Sequence, residues 1–166
     1  MTAIVGLALL TLRAPRQVVE RVRTALLDDY ERTGAWQAFW WASDAYTAAW
    51  ALRFLATSGG VPERIAASLP AQLEEADARS ALESALLLQA ALKLGRAGQP
   101  LVERSVDSLL ERVQCDGGWP PSRMLLVPNR STTDQPTPIQ EPDPQRLMTT
   151  SLACRSLGDW LCSGNA

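Results

Sequence analysis

The arrangement in this sequence that could do chemistry is a single acidic residue among aromatic side chains. Five aromatic residues lie from Trp36 to Tyr46, and Asp44 is the only carboxylate among them. Aromatic faces stabilise a cation by about 0.5–2 kcal/mol each, and an apolar site raises the pKa of a carboxyl group into the range of a general acid or base. The segment predicts a pocket in which Asp44 is catalytic. The predicted substrate-binding aromatics are Trp36, Phe39, Trp40, Trp41, Tyr46 and Trp50.

The same residues also have a structural interpretation. The aromatic side chains could pack helices against each other, and Asp44 could cap the helix that follows it. Trp40 and Trp41 are adjacent and cannot both face the same way. At least one of them is therefore expected to meet a ligand or a partner.

A second candidate set precedes the last predicted helix. Asp143 and Arg146 are expected to bind substrate at the mouth of that helix, and Asp134 could approach the same rim. The alternative is that they supply a helix cap and surface charge.

Several kinds of chemistry are disfavoured by what the sequence lacks. It has no histidine, which excludes histidine general bases and the common zinc sites that contain histidine. Cys115, Cys154 and Cys162 do not form paired CxxC motifs, so we expect buried free thiols. No glycine-rich phosphate loop is present. We expect neither a metal nor another cofactor.

The elements that must position these residues are helices, because alanine and leucine dominate and strand patterns are nearly absent. About seven helices are predicted, and two types alternate. Those low in charge are 3–13, 44–57, 78–94 and 145–162, and those rich in charge are 17–30, 62–75 and 101–113. We predict an all-α fold with inner and outer layers of helical hairpins. Helix 3–13 is apolar all round and is expected to be buried. Asp77 is expected to cap the helix 78–94, and Pro70 could interrupt the helix 62–75.

Residues 120–144 form a proline-rich loop, which cannot be a regular helix. A loop of this length is either a functional lid or an excursion on the surface.

The composition suits one domain, 1–166, with a net charge of −2 that favours no nucleic acid. The apolar runs are shorter than the roughly 20 residues of a membrane span. No basic segment precedes the first of them, so we expect no signal peptide and a cytoplasmic location.

A repeated motif adds a resemblance to a known family. One copy is Gln114-Cys115-Asp116-Gly117-Gly118-Trp119, and the earlier copy is Gly34-Ala35-Trp36. Windows starting at Tyr46 and at Met148 follow them and share Thr, Ala, Arg and Leu at the same offsets. The motif resembles the Gln/Trp repeat of squalene–hopene cyclases, oxidosqualene cyclases and protein prenyltransferases.

This resemblance implies an α/α toroid, of which seven helices make only part, and isoprenoid ligands. It also implies that Gln114 and Trp119 are structural and staple an outer helix to the next inner one, with Gly117 and Gly118 making the tight turn. In the first copy Tyr30 or Glu31 stands where glutamine would be. The Asp-x-Asp-Asp motif of the cyclases is missing, and so is the prenyltransferase zinc set.

Three functional hypotheses follow, the third being that the chain is one half of a larger cyclase, expressed separately. The first is a terpene-cyclase-like enzyme that cyclises or isomerises an apolar polyene or polycyclic substrate. The second is a non-catalytic helical-repeat partner subunit, or an apolar-ligand-binding protein, that completes another protein's toroid. Because an open array leaves apolar faces at its ends, we expect a homodimer or a second protein subunit. The surroundings of Asp44 separate the first two hypotheses: a closed aromatic cavity favours the enzyme, and a solvent-facing cap favours the partner subunit.

Overall fold

The computed structural model describes residues 2–75, 80–127 and 139–164. Within those ranges it confirms the predicted all-α class, with seven α-helices, one short 3-10 helix and one antiparallel hairpin. The helices are α1 (Thr2–Thr11), α2 (Arg16–Thr33), α3 (Asp44–Thr57), α4 (Glu63–Glu75), α5 (Ala81–Ala91), α6 (Gln99–Arg112) and α7 (Leu147–Cys162). The strands are β1 (Arg123–Val127) and β2 (Ile139–Pro142).

The helices low in charge form one row. In it α1 packs on α3, α3 on α5, and α5 on α7. The central helix α5 is buried along nearly its whole length because it is built almost entirely of alanine and leucine. The charged helices α2 and α6 pack on α1 and α5, with their leucine and valine residues turned towards the core.

The starts of α3, α5 and α7 lie at the hairpin. The backbone N–H of Ala42, just before α3, donates to the Met124 carbonyl at 3.0 Å. The N–H of Leu82 in α5 donates to the Ser122 hydroxyl at 3.3 Å. The N–H of Asp143, just before α7, donates to the Ser122 carbonyl at 2.9 Å. The three helices therefore run in the same direction away from the hairpin.

The prediction that the first helix is buried is wrong. Only Ala3 and Gly6 of α1 are buried, whereas Val5 is 48% exposed and Leu12, just after the helix, is 77% exposed. The exposure of α1 follows from its position in the row of helices. Since α1 ends the row and packs on α2 and α3 alone among the major helix contacts of the described residues, its other side faces solvent.

Other boundaries also differ from those predicted. Helix α4 continues through Pro70, with Ile65 and Leu69 buried before the proline and Leu73 buried after it. Ser80 caps α5 by accepting a hydrogen bond from the Glu83 N–H, and Asp77 lies outside the described residues. The proline-rich segment contributes the hairpin, which was not predicted. The partial α/α toroid stays a prediction.

Candidate functional site

Asp44 is the first residue of α3, and its side chain is exposed. Its carboxylate accepts a hydrogen bond from the backbone N–H of Ala38 at 2.6 Å. The cap of α3 is the neighbouring Ser43, whose hydroxyl accepts from the Ala45 N–H at 3.3 Å. Asp44 therefore fixes the loop before α3 and faces solvent. Of the two environments that separate the hypotheses, this is the one expected for a partner subunit.

Trp36 is a buried residue of the core. Only 2% of it is exposed, and its indole N–H donates to the Leu26 carbonyl at 3.0 Å. Its ring also contacts Tyr30, with the centroids 4.8 Å apart. Trp36 thus joins the end of α2 to the loop that leads into α3.

The remaining aromatics divide into an inward group and an outward pair. Trp41 stacks on Tyr46 with the ring centroids 3.7 Å apart, and Tyr46 meets Trp50 edge-on. Phe39 and Trp40 contact each other edge to face but are 80% and 48% exposed. The inward rings cover one another, which leaves little aromatic face for a cationic intermediate.

A small cavity lies beside the inward rings. Its volume is about 110 Å³, and Trp36, Tyr46 and Trp50 contribute to its lining while Asp44 does not. Ligand pockets usually hold about 300–1,000 Å³, so a polycyclic substrate would not fit without rearrangement. Burial raises the pKa of Tyr46, although a hydrogen bond with Trp50 opposes this, so the phenol stays protonated at neutral pH.

In the second copy of the motif, side-chain hydrogen bonds connect the turn to the start of α7. Arg146 donates to the Gln114 side-chain oxygen at 2.5 Å and to the Asp116 carboxylate at 2.7 Å. The other Asp116 oxygen accepts from the Gly118 N–H at 3.0 Å. The Arg146 guanidinium lowers the pKa of Asp116, and Asp116 in turn raises the pKa of Arg146. Gln114 thus reaches the start of α7 through the side chain of Arg146.

Trp119 repeats the geometry of Trp36. It is 4% exposed, and its indole N–H donates to the Leu109 carbonyl at 2.8 Å. Gly117, two residues before it, has a φ of 79°, where an L-residue is strained. The bond joins the end of α6 to the turn before β1.

Asp143 is 93% buried, since only 7% of it is exposed. Its carboxylate accepts from the Thr149 N–H in the first turn of α7 at 2.8 Å. Asp143 and Arg146 lie together at the start of α7, as predicted. Both side chains form hydrogen bonds within the chain. Asp134 lies outside the described residues.

A second cavity, missed from the sequence, lies between the later parts of α3, α5 and α7. Its volume is about 340 Å³, and four charged groups line it: Arg53 of α3, Lys93 in the turn after α5, and Arg155 and Asp159 of α7. One signal was present, because Arg53 and Arg155 are the arginines that the two matched windows share. Lys93 and Asp159 belong to no pattern.

Three further observations concern the thiols, metal ions and membrane spans. All three cysteines are free and exposed, so the expectation of buried thiols is wrong. Across the described ranges no group of three or more acidic or cysteine side chains is placed to hold a metal ion. In the same ranges no helix has the length and apolar character to cross a membrane.

Comparison with protein-family models and with curated protein sequences finds no match. The resemblance to the cyclase and prenyltransferase repeat therefore rests on the two tryptophan turns and the helices that follow them.

Proposed function

We propose that this chain is a non-catalytic helical-repeat subunit, which pairs with a second copy of itself through the two ends of its row of inner helices. The observation that carries the proposal is the exposure of α1, a helix without a single charged residue. A helix that is apolar all round is normally buried. The solvent-facing side of α1 is therefore expected to pack against a partner.

The first surface is at the α1 end. Ile4 and Val5 are 39% and 48% exposed. Ile4 also lines the small cavity with Gln37, which places the start of α1 beside the loop that carries the exposed aromatic pair. Contiguous apolar surface rimmed by polar residues marks interaction sites, and exposed aromatics often dominate binding energy. We define this α1 edge as Ile4, Val5, Ala8, Leu12, Phe39 and Trp40.

The second surface is at the α7 end. Leu147 and Leu161 are 68% and 55% exposed, and the residues between them at helical spacing are small and uncharged. Small side chains allow another helix to approach closely. We define this α7 edge as Leu147, Ser151, Cys154, Gly158 and Leu161.

A second copy is the occupant that the repeat favours. Along the row each inner helix packs on the next, so α1 of another copy would continue the row after α7. A two-fold axis would satisfy both edges at once, because α1 of each copy would meet α7 of the other. The net charge of −2 opposes such pairing only weakly. Two rows joined in this way would extend the partial toroid towards closure.

The catalytic hypothesis has less support. It needs a carboxylate inside a closed aromatic cavity, whereas Asp44 is exposed and the cavity beside the rings is small. We also propose a cytoplasmic location, which three exposed free thiols support because reducing compartments keep thiols unpaired.

Sedimentation velocity tests the proposed pairing. Wild type is expected to shift from monomer to dimer over about a hundredfold range of concentration. Val5→Asp, on the α1 edge, is expected to remain monomeric because it would bury an unpaired charge. Leu110→Asp is the matched control, since Leu110 is 53% exposed on outer helix α6, and it is expected to dimerise like wild type. A wild-type protein that stays monomeric throughout, or equal effects of the two variants, would overturn the proposal.

A further inference from the structure

The cavity between α3, α5 and α7 is positively charged in a chain whose net charge is negative. Arg53, Lys93 and Arg155 line it, with Asp159 as the one carboxylate among its lining residues. Three cations and one anion leave a local excess of positive charge, while the whole chain carries −2. The cavity therefore differs from the general surface.

The cations in this cavity are incompletely neutralised. Arg155 and Asp159 are 4.0 Å apart, with both side chains about half exposed, so the pair is loose. Arg53 lies over the Trp50 ring, 5.4 Å from its centroid, which holds the guanidinium in place without neutralising it. Burial lowers the pKa of Arg53, Arg155 lowers it further, and Asp159 acts in the opposite sense. The two guanidinium groups thus repel each other across the cavity.

Helix ends explain only part of this clustering. Cations are favourable near helix C-termini, which accounts for Lys93 just after α5 and for Arg53 in the later part of α3. Arg155 lies about two turns before the end of α7, beyond the reach of that effect. The internal repeat accounts for the place of Arg155 at the cavity, because Arg53 and Arg155 occupy the same offset in the matched helices.

We infer that this cavity binds a small polyvalent oxyanion of the phosphate type, held between Arg53, Lys93 and Arg155. Planar guanidinium groups bind phosphate oxygens in pairs, and an ammonium group adds a point charge. The volume of about 340 Å³ accommodates a phosphate or diphosphate group together with part of the molecule that carries it. Gln89 also lines the cavity, and its amide nitrogen donates to the Ser156 hydroxyl at 3.1 Å. This site is independent of the proposed pairing.

Isothermal titration calorimetry with sodium pyrophosphate, at fixed ionic strength, tests the inference. Wild type is expected to show saturable binding. Lys93→Gln and Arg155→Gln are each expected to weaken the binding by about tenfold, since each removes one of three cations. Arg16→Gln is the control, because the Arg16 side chain is 91% exposed on α2 and lies outside the cavity. It is expected to bind like wild type.

Asp159→Asn supplies a test in the opposite direction. Removing the one carboxylate is expected to tighten pyrophosphate binding several-fold, a gain that a merely structural role for Asp159 would not produce. Circular dichroism of each variant establishes that it is folded.

Citrate, titrated in the same way, separates phosphate from carboxylate recognition. Pyrophosphate binding at least about tenfold tighter than citrate binding is expected, because the guanidinium pairs match phosphate oxygens. No saturable pyrophosphate binding, equal binding of citrate, or an Arg16→Gln effect as large as that of Lys93→Gln would each overturn the assignment.

Discussion

The turn that ends at Trp36 and the turn that ends at Trp119 occupy equivalent places in the two halves of the molecule. In each, a buried indole N–H donates to a leucine carbonyl ten residues earlier, at 3.0 Å and 2.8 Å. In each, a glycine two residues before the tryptophan has a positive φ, 77° for Gly34 and 79° for Gly117. In both turns the indole hydrogen bond joins the tryptophan to the later part of the preceding helix, α2 or α6.

The polar partners of the two turns differ. Glu31 forms an ion pair with Arg64 on the next outer helix, α4. Gln114, at the equivalent position, accepts from Arg146 at the start of α7, and Arg146 also binds Asp116. The indole-to-carbonyl bond is thus common to both turns, while the residue at the glutamine position contacts α4 in the first turn and the start of α7 in the second.

Truncating the tryptophans should have the largest effect on this comparison. Trp36→Ala and Trp119→Ala are each expected to lower the free energy of unfolding by about 3–5 kcal/mol, since each leaves a cavity and removes a buried hydrogen bond. Urea unfolding measures the loss, and Trp40→Ala, at an exposed position, should change it by only about 0.5 kcal/mol. Values for Trp36 and Trp119 that differ by more than twofold would show that the two turns are not equivalent.

The helix that follows each turn provides the next test. Asp143→Ala is expected to lower stability by about 1–2 kcal/mol, because the buried carboxylate is the acceptor for an N–H in the first turn of α7. Ser43→Ala at the start of α3 should cost less, about 0.5–1 kcal/mol, since its bond is longer and half-exposed. Thermal unfolding of the two variants measures both, and the reverse order would refute this ranking.

Replacing the positive-φ glycine of each turn is expected to lower stability by a smaller amount, equal in the two turns. Gly34→Ala and Gly117→Ala should each cost about 1 kcal/mol, from the positive φ alone. A Cβ at either position meets no atom within 4 Å, so packing adds nothing. Chemical denaturation compares the two, and a loss confined to one of them would mean that its turn can change conformation.

A change of pH tests the ion pair in the second turn. Arg146 lowers the pKa of Asp116 in the folded state, so the unfolded chain binds more protons. The contribution of Asp116 is therefore complete above the unfolded pKa of about 3.9 and is lost as the pH falls through the folded value. Wild type should melt above Asp116→Asn at neutral pH, and the difference should shrink on acidification. A difference that is independent of pH would contradict the pairing with Arg146.

The sequence predicted the helices well because periodicity, Gly and Pro mark them directly. It also identified Trp36 and Trp119 as a repeated pair. It could not show that α1 is exposed, since burial depends on how many neighbours a helix has in the row. Asp44 illustrates the same limit, because its type and aromatic neighbours fit a pocket or a loop contact equally well. Only tertiary packing brings Lys93 towards Arg53 and Arg155.

The most direct test of the central claim, that the ends of the row pair with each other, uses the protein's own cysteines. Cys154 lies on the α7 edge, and Cys115 lies in the second turn, outside both edges, with both thiols exposed in the single chain. Their rates of alkylation, read separately by mass spectrometry, are compared as protein concentration rises. Alkylation of Cys154 is expected to slow progressively as dimers form, while that of Cys115 is expected to stay constant. Equal and unchanging rates for the two thiols, at concentrations well above those of the sedimentation experiment, would contradict it.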